Sequence, residues 1–212
     1  PWVTAVYHLL VTTLILSSLV AYLKYSDTRR VAWPILGAVL TLAALFTQEN
    51  GVLIPPLVVL LAWLSGHGWG SWRRVLPWVA PLLVWLPMWL LIPRTTSELG
   101  LNQGETIGQN MAWLLQGVAF PFTWAGGWLR DVWGWNDLRT AVALSLVALS
   151  GVAFIQFRLR RSTTALVAFP WAWSLLTGLP TLLLLPFAYL LSSPRLLTLT
   201  AVGAAWLWAG SI

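Results

Sequence analysis

Long apolar runs that contain no charged residue are the feature that most restricts how this chain can fold. Residues 2–23 and 75–92 are two such runs, each close to the ~20 residues that cross a bilayer as a helix. Charged residues make up 8% of the 212, against about 25% in a soluble domain. A soluble fold of this size could not build a polar surface from so few charges. The sequence therefore predicts an all-α, polytopic transmembrane helix bundle.

About seven spans are predicted, joined in a single transmembrane domain over residues 1–212. Between the fourth and fifth spans, residues 93–139 are predicted to form a large outer loop. Segment 111–129 has helical spacing of apolar residues, but Pro121 and Gly126-Gly127 would break a spanning helix. It is therefore predicted to be a short interfacial helix followed by a Trp-rich irregular loop. The spans are expected at about 2–23, 31–46, 51–65, 75–92, 140–156, 164–180 and 196–212.

Basic residues in the short loops predict the orientation of these spans. Loops 24–30 and 65–74 carry Lys and Arg, whereas the turn 47–50 between them carries neither. A dense cluster of Arg158, Arg160 and Arg161 also favours the cytoplasm, which places Glu49 and residues 93–139 outside. If segment 111–129 spans the membrane, the numbers of Lys and Arg residues inside and outside stay the same. That alternative topology therefore stays open. This positive-inside pattern accounts for the net charge of +6, and no nucleic-acid-binding pattern is present.

Tryptophan and cysteine usage narrows the chemistry further. Most of the 17 Trp residues lie near the ends of apolar runs, where amphipathic rings form an interfacial belt. Membrane anchoring is one interpretation of them, and stacking of one or two rings on a sugar is another. Cysteine is absent, and His8 and His67 are far apart in sequence, so no metal-ligating set is predicted.

Glu49 is the first candidate for a functional residue. Pro55 and Pro56 each disfavour helix at the residue before them, so the backbone around 51–55 is predicted to be extended. Non-helical backbone at membrane depth is tolerated only within protein or beside water. A cavity next to Glu49 is therefore one interpretation. A solvated turn with Asn50-Gly51 as its turn residues is the other.

His8 and Arg195 are the other two candidates from the residues alone. His8 lies about two turns inside the first span, where an ionisable group by default faces the bundle interior and marks a site. A histidine that is simply hydrogen-bonded within the bundle is the alternative. Arg195 opens the last run, where a guanidinium can grip a phosphate or a carboxylate. An ordinary arginine at a helix end is the alternative there.

Three short motifs occur in order along the chain. They are Tyr7-His8-Leu9-Leu10 with Tyr22-Leu23-Lys24-Tyr25, then the segment 45–55 around Gln48-Glu49, then Ser193-Pro194-Arg195-Leu196-Leu197-Thr198-Leu199. The second resembles the Lys-Glu segment that precedes a Pro in GT-C membrane glycosyltransferases, the group that includes protein O-mannosyltransferase-like enzymes. The third resembles the Arg-Tyr-Leu-Tyr-Leu-Pro stretch of the same family. The chain departs from the family at Gln48, which replaces Lys, and at Leu197 and Leu199, which replace Tyr.

The resemblance implies an enzyme that transfers a sugar from a polyprenyl-phosphate donor to an acceptor protein, lipid or glycan. The transfer would take place on the extracytoplasmic face of a bacterial plasma membrane. The family's catalytic acidic residue lies in a first outer loop that would precede Pro1, so the chain is expected to be a fragment, inactive alone. Arg195 would contact the donor phosphate, and Glu49, His8 and Gln48 would shape the pocket. A divalent metal stays open as a cofactor.

Two other functions remain open at this stage. The first is a transporter or flippase for a lipid-linked or small substrate, which would need polar residues near the membrane midplane and broken helices in paired halves. The second is a membrane scaffold without catalysis. The sequence shows almost no midplane charge and no internal duplication.

Overall fold

The prediction of an all-α fold is confirmed for the residues that the structure describes. The structure, a computed structural model, describes residues 2–65, 69–92, 101–119, 123–158, 164–193 and 196–209, and these ranges contain no β-strand. Two short 3-10 helices accompany the α-helices, at Glu49–Leu53 and Trp69–Arg74. The α-helices are α1 (Trp2–Thr28), α2 (Ala32–Thr47), α3 (Ile54–Leu64), α4 (Leu76–Leu91), α5 (Glu105–Ala119), α6 (Thr123–Trp133), α7 (Asp137–Arg158), α8 (Thr164–Leu184), α9 (Phe187–Ser192) and α10 (Leu197–Ala209).

The helices cluster into two compact units. Unit 1 covers Pro1–Ser97 and contains α1 to α4, and unit 2 covers Glu98–Ile212 and contains α5 to α10. In unit 1, α2 packs on α1 and α4; in unit 2, α10 packs on α8 and α5, and α5 packs on α7. The single transmembrane domain predicted over residues 1–212 stays a prediction.

Helix length supports only part of the predicted membrane topology. Within the described residues, Val6–Thr28 and Asp137–Arg158 are the two helices long and apolar enough to cross a membrane. The other apolar helical stretches have 10–17 residues, with α8 counted from Ala168 to Leu184, which is short of the ~20 that a bilayer requires. Each of the seven predicted spans coincides with a helix, but seven full-length spans are not supported.

Apolar side chains are exposed as well as buried. Many large apolar side chains are exposed; Leu83 is 76% exposed and Leu91 is 81% exposed. Small polar side chains lie inside together with a larger number of apolar ones. The buried polar residues include Thr12, Ser18, Thr41, Asn110, Ser145, Ser174, Thr177, Thr181 and Thr200.

Trp78 joins three helices in the middle of unit 1. Its side chain is fully buried, and its indole N–H donates a hydrogen bond to the Ser18 carbonyl at 3.3 Å. The ring lies against Gly37, where an added Cβ would be 2.5 Å from Cζ2 of Trp78. The Ser18 hydroxyl donates to the Gly37 carbonyl at 3.3 Å and lies 3.2 Å from the Thr41 hydroxyl. Small residues on α1 and α2 thus make room for one large ring from α4.

The backbone at residues 51–55 is helical, so the prediction of an extended segment is wrong. Glu49–Leu53 forms a 3-10 helix, and Ile54 begins α3 with φ −60° and ψ −53°. Pro55 and Pro56 occupy the first turn of α3, where a helix does not need their missing N–H groups and their fixed φ is already helical. Gly51 is required by close packing, because a Cβ there would be 2.5 Å from the backbone N of Leu45.

The predicted irregular loop after residue 121 is also wrong, since residues 123–133 form α6. Gly126-Gly127 does not end this helix, which packs on α7. Glycine in a helix costs only about 0.5–1 kcal/mol relative to alanine, which packing can offset. Pro121 lies outside the described residues. The helix before it, α5, packs against α7, α8, α9 and α10 and buries Trp113, Leu114 and Val118.

Two helices contain internal prolines. Pro81 and Pro87 lie inside α4, and Pro170 and Pro180 lie inside α8. Proline has no N–H, so each one removes a hydrogen bond to the carbonyl four residues earlier. Both helices nevertheless continue through these positions.

Helices α8 and α10 approach closely at Gly203. A Cβ on Gly203 would be 2.8 Å from the carbonyl oxygen of Pro170 and 2.8 Å from Cδ1 of Trp173. The Trp173 side chain is fully buried, and its indole N–H donates to the Leu199 carbonyl at 2.7 Å. The contact therefore requires a residue without a side chain at position 203.

Two asparagines hold the C-terminal end of α8. This helix ends at Leu184, shortly before Pro186, and its last carbonyls have no helical donor. The Asn110 side-chain amide donates to the carbonyls of Leu182 at 3.2 Å and Leu185 at 2.8 Å. The Asn102 amide donates to the same two carbonyls, at 3.1 Å and 2.7 Å. Side chains from before and within α5 thus replace the missing backbone donors.

We expect Asn110→Ala to destabilise unit 2 by about 1–3 kcal/mol, because a fully buried donor to several carbonyls is lost. Thermal unfolding followed by circular dichroism in detergent micelles measures the change. Gln109→Ala is the matched control, since that amide bonds to Glu105 on the exposed side of the same helix. The control should cost no more than about 0.5 kcal/mol. Equal losses for the two variants would contradict the capping role of Asn110.

Candidate functional site

Two of the four residues predicted for the site, His8 and Gln48, contact each other in unit 1, and Glu49 follows Gln48 in the chain. Nε2 of the Gln48 amide lies 3.4 Å from Nδ1 of His8. Gln48 ends α2 with extended backbone, φ −162° and ψ 148°, and Glu49 then begins the 3-10 helix. The extended backbone just after α2 places the Gln48 side chain against His8 of α1.

His8 is buried and hydrogen-bonded in the interior of unit 1. With this orientation of the amide, Nε2 of Gln48 donates to Nδ1 of His8, which requires the tautomer that carries its proton on Nε2. The Thr12 hydroxyl donates to the His8 backbone carbonyl at 2.6 Å, one turn further along α1. This placement agrees with the predicted inward orientation and is compatible with both interpretations of His8.

The oxygen of the Gln48 amide, Oε1, indicates which ligand groups the site could bind. Its Oε1 is buried and has no hydrogen-bond partner within the described part of the chain. An unpaired buried acceptor costs about 1–3 kcal/mol, and a hydroxyl or N–H donor would satisfy it. Rotation of the amide would instead turn Oε1 towards His8, where it could accept from a protonated imidazole. Gln48 can therefore pair with His8 in either protonation state.

Glu49 is exposed, and an indole from α4 contacts it. The Trp89 N–H donates to Oε1 of Glu49 at 3.3 Å. The Trp89 ring lies 5.4 Å, centroid to centroid, from the ring of the buried Trp85, one turn earlier on α4. Trp89 is not among the site residues predicted from the sequence. Its place in the last turn of the fourth predicted span, on the same side as Glu49, was the available signal.

Arg195 lies outside the described residues, as does His67. Ser193, two residues earlier, is buried, and its backbone N–H bonds to the Leu190 carbonyl at 3.0 Å. Arg195 belongs to unit 2, whereas His8 and Glu49 belong to unit 1. The convergence of His8, Glu49 and Arg195 on one cavity stays a prediction.

The described side chains of this cluster offer groups for polar recognition. Within the described ranges, no three His, Asp or Glu side chains come close enough to hold a metal ion. The cluster at the end of unit 1 supplies one imidazole, one amide, one carboxylate and one indole. Such a set can donate to and accept from hydroxyl groups, and its rings can pack against an apolar sugar face.

Comparison with known proteins adds no relative to this description. No family model, no curated protein and no solved structure matches the chain. The class that the fold itself defines is an all-helical protein with an exposed apolar surface. Its function is therefore argued from the polar cluster and the distribution of polarity.

Proposed function

We propose that the chain is part of an integral-membrane glycosyltransferase of the GT-C type. The enzyme moves a sugar from a polyprenyl-phosphate donor to a protein, lipid or glycan on the extracytoplasmic face. The observation that carries the proposal is the cluster of His8, Gln48, Glu49 and Trp89. A carboxylate that accepts from an indole, beside a buried amide oxygen without a donor, suits a ligand rich in hydroxyl groups.

The membrane part of the proposal is supported by the many exposed apolar side chains and by the two long apolar helices. Helices in lipid bury small polar residues at their interfaces and expose apolar ones, as α1 and α2 do here. We infer about seven spans in a bacterial plasma membrane, the shorter ones accommodated by local thinning of the bilayer. Glu49 and residues 93–139 lie outside in this topology. The exposed Trp128 and Trp133 of α6 then lie at the interface.

Each site residue has a distinct role in this proposal. Arg195 holds the donor phosphate, because a guanidinium matches phosphate oxygens bidentately. Glu49 and Gln48 accept hydrogen bonds from sugar hydroxyls, and His8 sets the orientation of the Gln48 amide.

We expect Glu49→Gln to weaken binding of a polyprenyl-phosphate hexose by about tenfold, because a hydrogen bond to a charged group is worth about 1.5–3 kcal/mol. Binding of bare polyprenyl phosphate should stay unchanged, since Glu49 is assigned to the sugar. Arg195→Gln should weaken both ligands equally. Microscale thermophoresis of the purified chain in detergent micelles measures all four affinities.

Glu105→Gln is the matched control, because Glu105 is an exposed carboxylate in unit 2. It should leave both affinities unchanged. Loss of hexose binding in this variant, or equal loss of both ligands with Glu49→Gln, would contradict the assignment of Glu49 to the sugar.

A transporter or flippase is the second candidate, and the internal prolines favour it. Apolar segments that contain proline in both halves of a chain point to transporter binding sites, and α4 and α8 carry two internal prolines each, although both helices continue through them. Uptake of a sugar or lipid-linked sugar into proteoliposomes, driven by an ion gradient, would support this function. Binding of the polyprenyl-phosphate hexose without uptake would support the glycosyltransferase.

A further inference from the structure

Three tryptophan rings lie together where α6 ends and α7 begins, in residues 128–137, which we call the α6–α7 corner. The Trp133 ring centre lies 6.2 Å from that of Trp128 and 5.5 Å from that of Trp135. Trp128 is 55% exposed and Trp133 is 58% exposed, so these rings are not part of the core. Exposed aromatic rings that contact one another indicate an interaction surface, and tryptophan faces also attract cations.

Hydrogen bonds hold the backbone of this corner. Gly134 follows α6 with a φ of 61°, a left-handed conformation that suits glycine, and its N–H bonds to the Arg130 carbonyl at 2.9 Å. Asn136 precedes α7, and its side-chain oxygen accepts from the Arg139 backbone N–H at 2.8 Å, as an N-cap residue does. The tryptophans therefore lie on a turn that is fixed to both helices.

The charged side chains of the corner carry both signs. Nε of Arg130 lies 3.4 Å from a carboxylate oxygen of Asp131, and Nη1 of Arg130 lies 3.9 Å from one of Asp137. All three side chains are more than half exposed, so these ion pairs are weak and a charged ligand can compete for them. The corner thus offers acceptors for a cation and donors for an anion at the same place.

We propose that the α6–α7 corner binds the headgroup of a zwitterionic phospholipid, such as phosphatidylethanolamine. Tryptophan is the best aromatic partner for an ammonium group, and the carboxylates of Asp131 and Asp137 accept hydrogen bonds from it. The Arg130 guanidinium donates to the phosphate of the same headgroup. This proposal rests only on the membrane part of the proposed function.

A phospholipid fits the corner better than a free zwitterion, because an apolar surface continues from it. Among the described residues, α7, which begins at Asp137, is one of the two helices long and apolar enough to cross a membrane. Val142, Leu146 and Val147 are exposed on its first three turns, where acyl chains can contact them. An anionic lipid fits less well, because residues 128–139 carry no net positive charge.

The test follows lipid binding at the corner itself, by fluorine NMR of the full chain labelled with fluorotryptophan in micelles of an uncharged polyoxyethylene detergent. The Trp133 signal is assigned by its loss in Trp133→Phe. Short-chain phosphatidylethanolamine should shift this signal to saturation at concentrations about fivefold below those of short-chain phosphatidylglycerol. Asp131→Asn/Asp137→Asn should reverse that order, because it removes the acceptors for the ammonium group and leaves Arg130 without these carboxylates.

Asp27→Asn/Glu105→Gln is the matched control, since it removes two exposed carboxylates outside the corner. It should leave the order of the two lipids unchanged. Reversal in the control as well would overturn the site, because it would indicate a response to the overall charge of the chain. Equal shifts by the two lipids in the unsubstituted chain would also overturn it.

Trp133→Leu tests the aromatic part of the site while it keeps an apolar side chain. Phosphatidylethanolamine binding, followed at the Trp128 signal, should weaken about fivefold, whereas the unfolding midpoint should stay nearly the same because Trp133 is exposed. Unchanged binding would overturn the site. Full displacement of the lipid by millimolar glycerophosphoethanolamine, or a shift of the same signals by maltoheptaose, would overturn its assignment to a phospholipid. Failure of the sugar-binding experiment leaves this result unaffected, because the corner shares no residue with the Glu49 site.

Discussion

We expect Trp78→Ala to destabilise unit 1 by about 3–5 kcal/mol, the largest effect of any single substitution that we predict. The change removes a fully buried indole that fills the space above Gly37 and donates to the Ser18 carbonyl. No nearby side chain can occupy that space without moving α1 or α2. The unfolding midpoint of the purified chain in detergent should fall on the order of 10 °C.

Trp63→Ala is the matched control for this prediction, because Trp63 on α3 is 60% exposed. It should shift the midpoint by far less than Trp78→Ala in the same detergent. The absence of native cysteine allows a local readout as well. A Thr12→Cys reporter in unit 1 should react faster with maleimide in the Trp78→Ala background, whereas a Ser145→Cys reporter in unit 2 should not. Equal acceleration at both reporters would contradict a local role of Trp78.

Gly203→Ala is the second large prediction, with an expected loss near the upper end of about 1–3 kcal/mol. The added methyl group would lie 2.8 Å from the Pro170 carbonyl oxygen, a backbone atom that cannot rotate away. It would also press on Trp173, which is fully buried. Relief of the clash requires α10 to move away from α8, which breaks the Trp173 hydrogen bond to Leu199. Thermal unfolding in detergent measures the loss.

Gly108→Ala is the control, and we expect it to stabilise the chain, whereas Gly203→Ala destabilises it. Gly108 lies inside α5 with no atom within 4 Å of an added Cβ. Alanine there should stabilise the chain by roughly 0.5–1 kcal/mol through helix propensity alone. Stabilisation by both substitutions would show that α8 and α10 do not pack closely at Gly203.

Helix positions could be predicted from the sequence because apolar runs and charged flanks mark them. The span predicted at about 75–92 is α4 at Leu76–Leu91, and the one predicted at about 140–156 lies within α7 at Asp137–Arg158. The errors lie where local rules compete with packing. Pro55-Pro56 suits the first turn of a helix as well as an extended segment, and the neighbouring contact of Gly51 with α2 favours the helical form. Helix α6 continues through Gly126-Gly127, because the packing of α6 on α7 offsets the low helix propensity of glycine.

The candidate site could be predicted as a set of residues but not as a set of contacts. His8 lies in the outer half of the first predicted span and Gln48 in the outer turn after the second, so their similar level in the fold followed from the chain direction. Their contact depends on the rotation of α1 about its axis, and apolar side chains surround this helix on all sides. Without a polar face, the sequence does not specify which side turns inward. The same uncertainty concealed the hydrogen bond from Trp89 to Glu49.

The two internal prolines of α4, Pro81 and Pro87, lie between the two ends of unit 1. Trp78 precedes both prolines at the end near Arg74, whereas Trp89 follows both at Glu49. Helix α4 lacks one backbone hydrogen bond at Pro81 and another at Pro87, so bending of α4 concentrates between Trp78 and Trp89. We therefore expect a ligand that displaces Trp89 to bend the middle of α4 and to leave the packing of Trp78 against Gly37 unchanged. We therefore expect the end of unit 1 at Glu49 to move more readily than the end at Trp78.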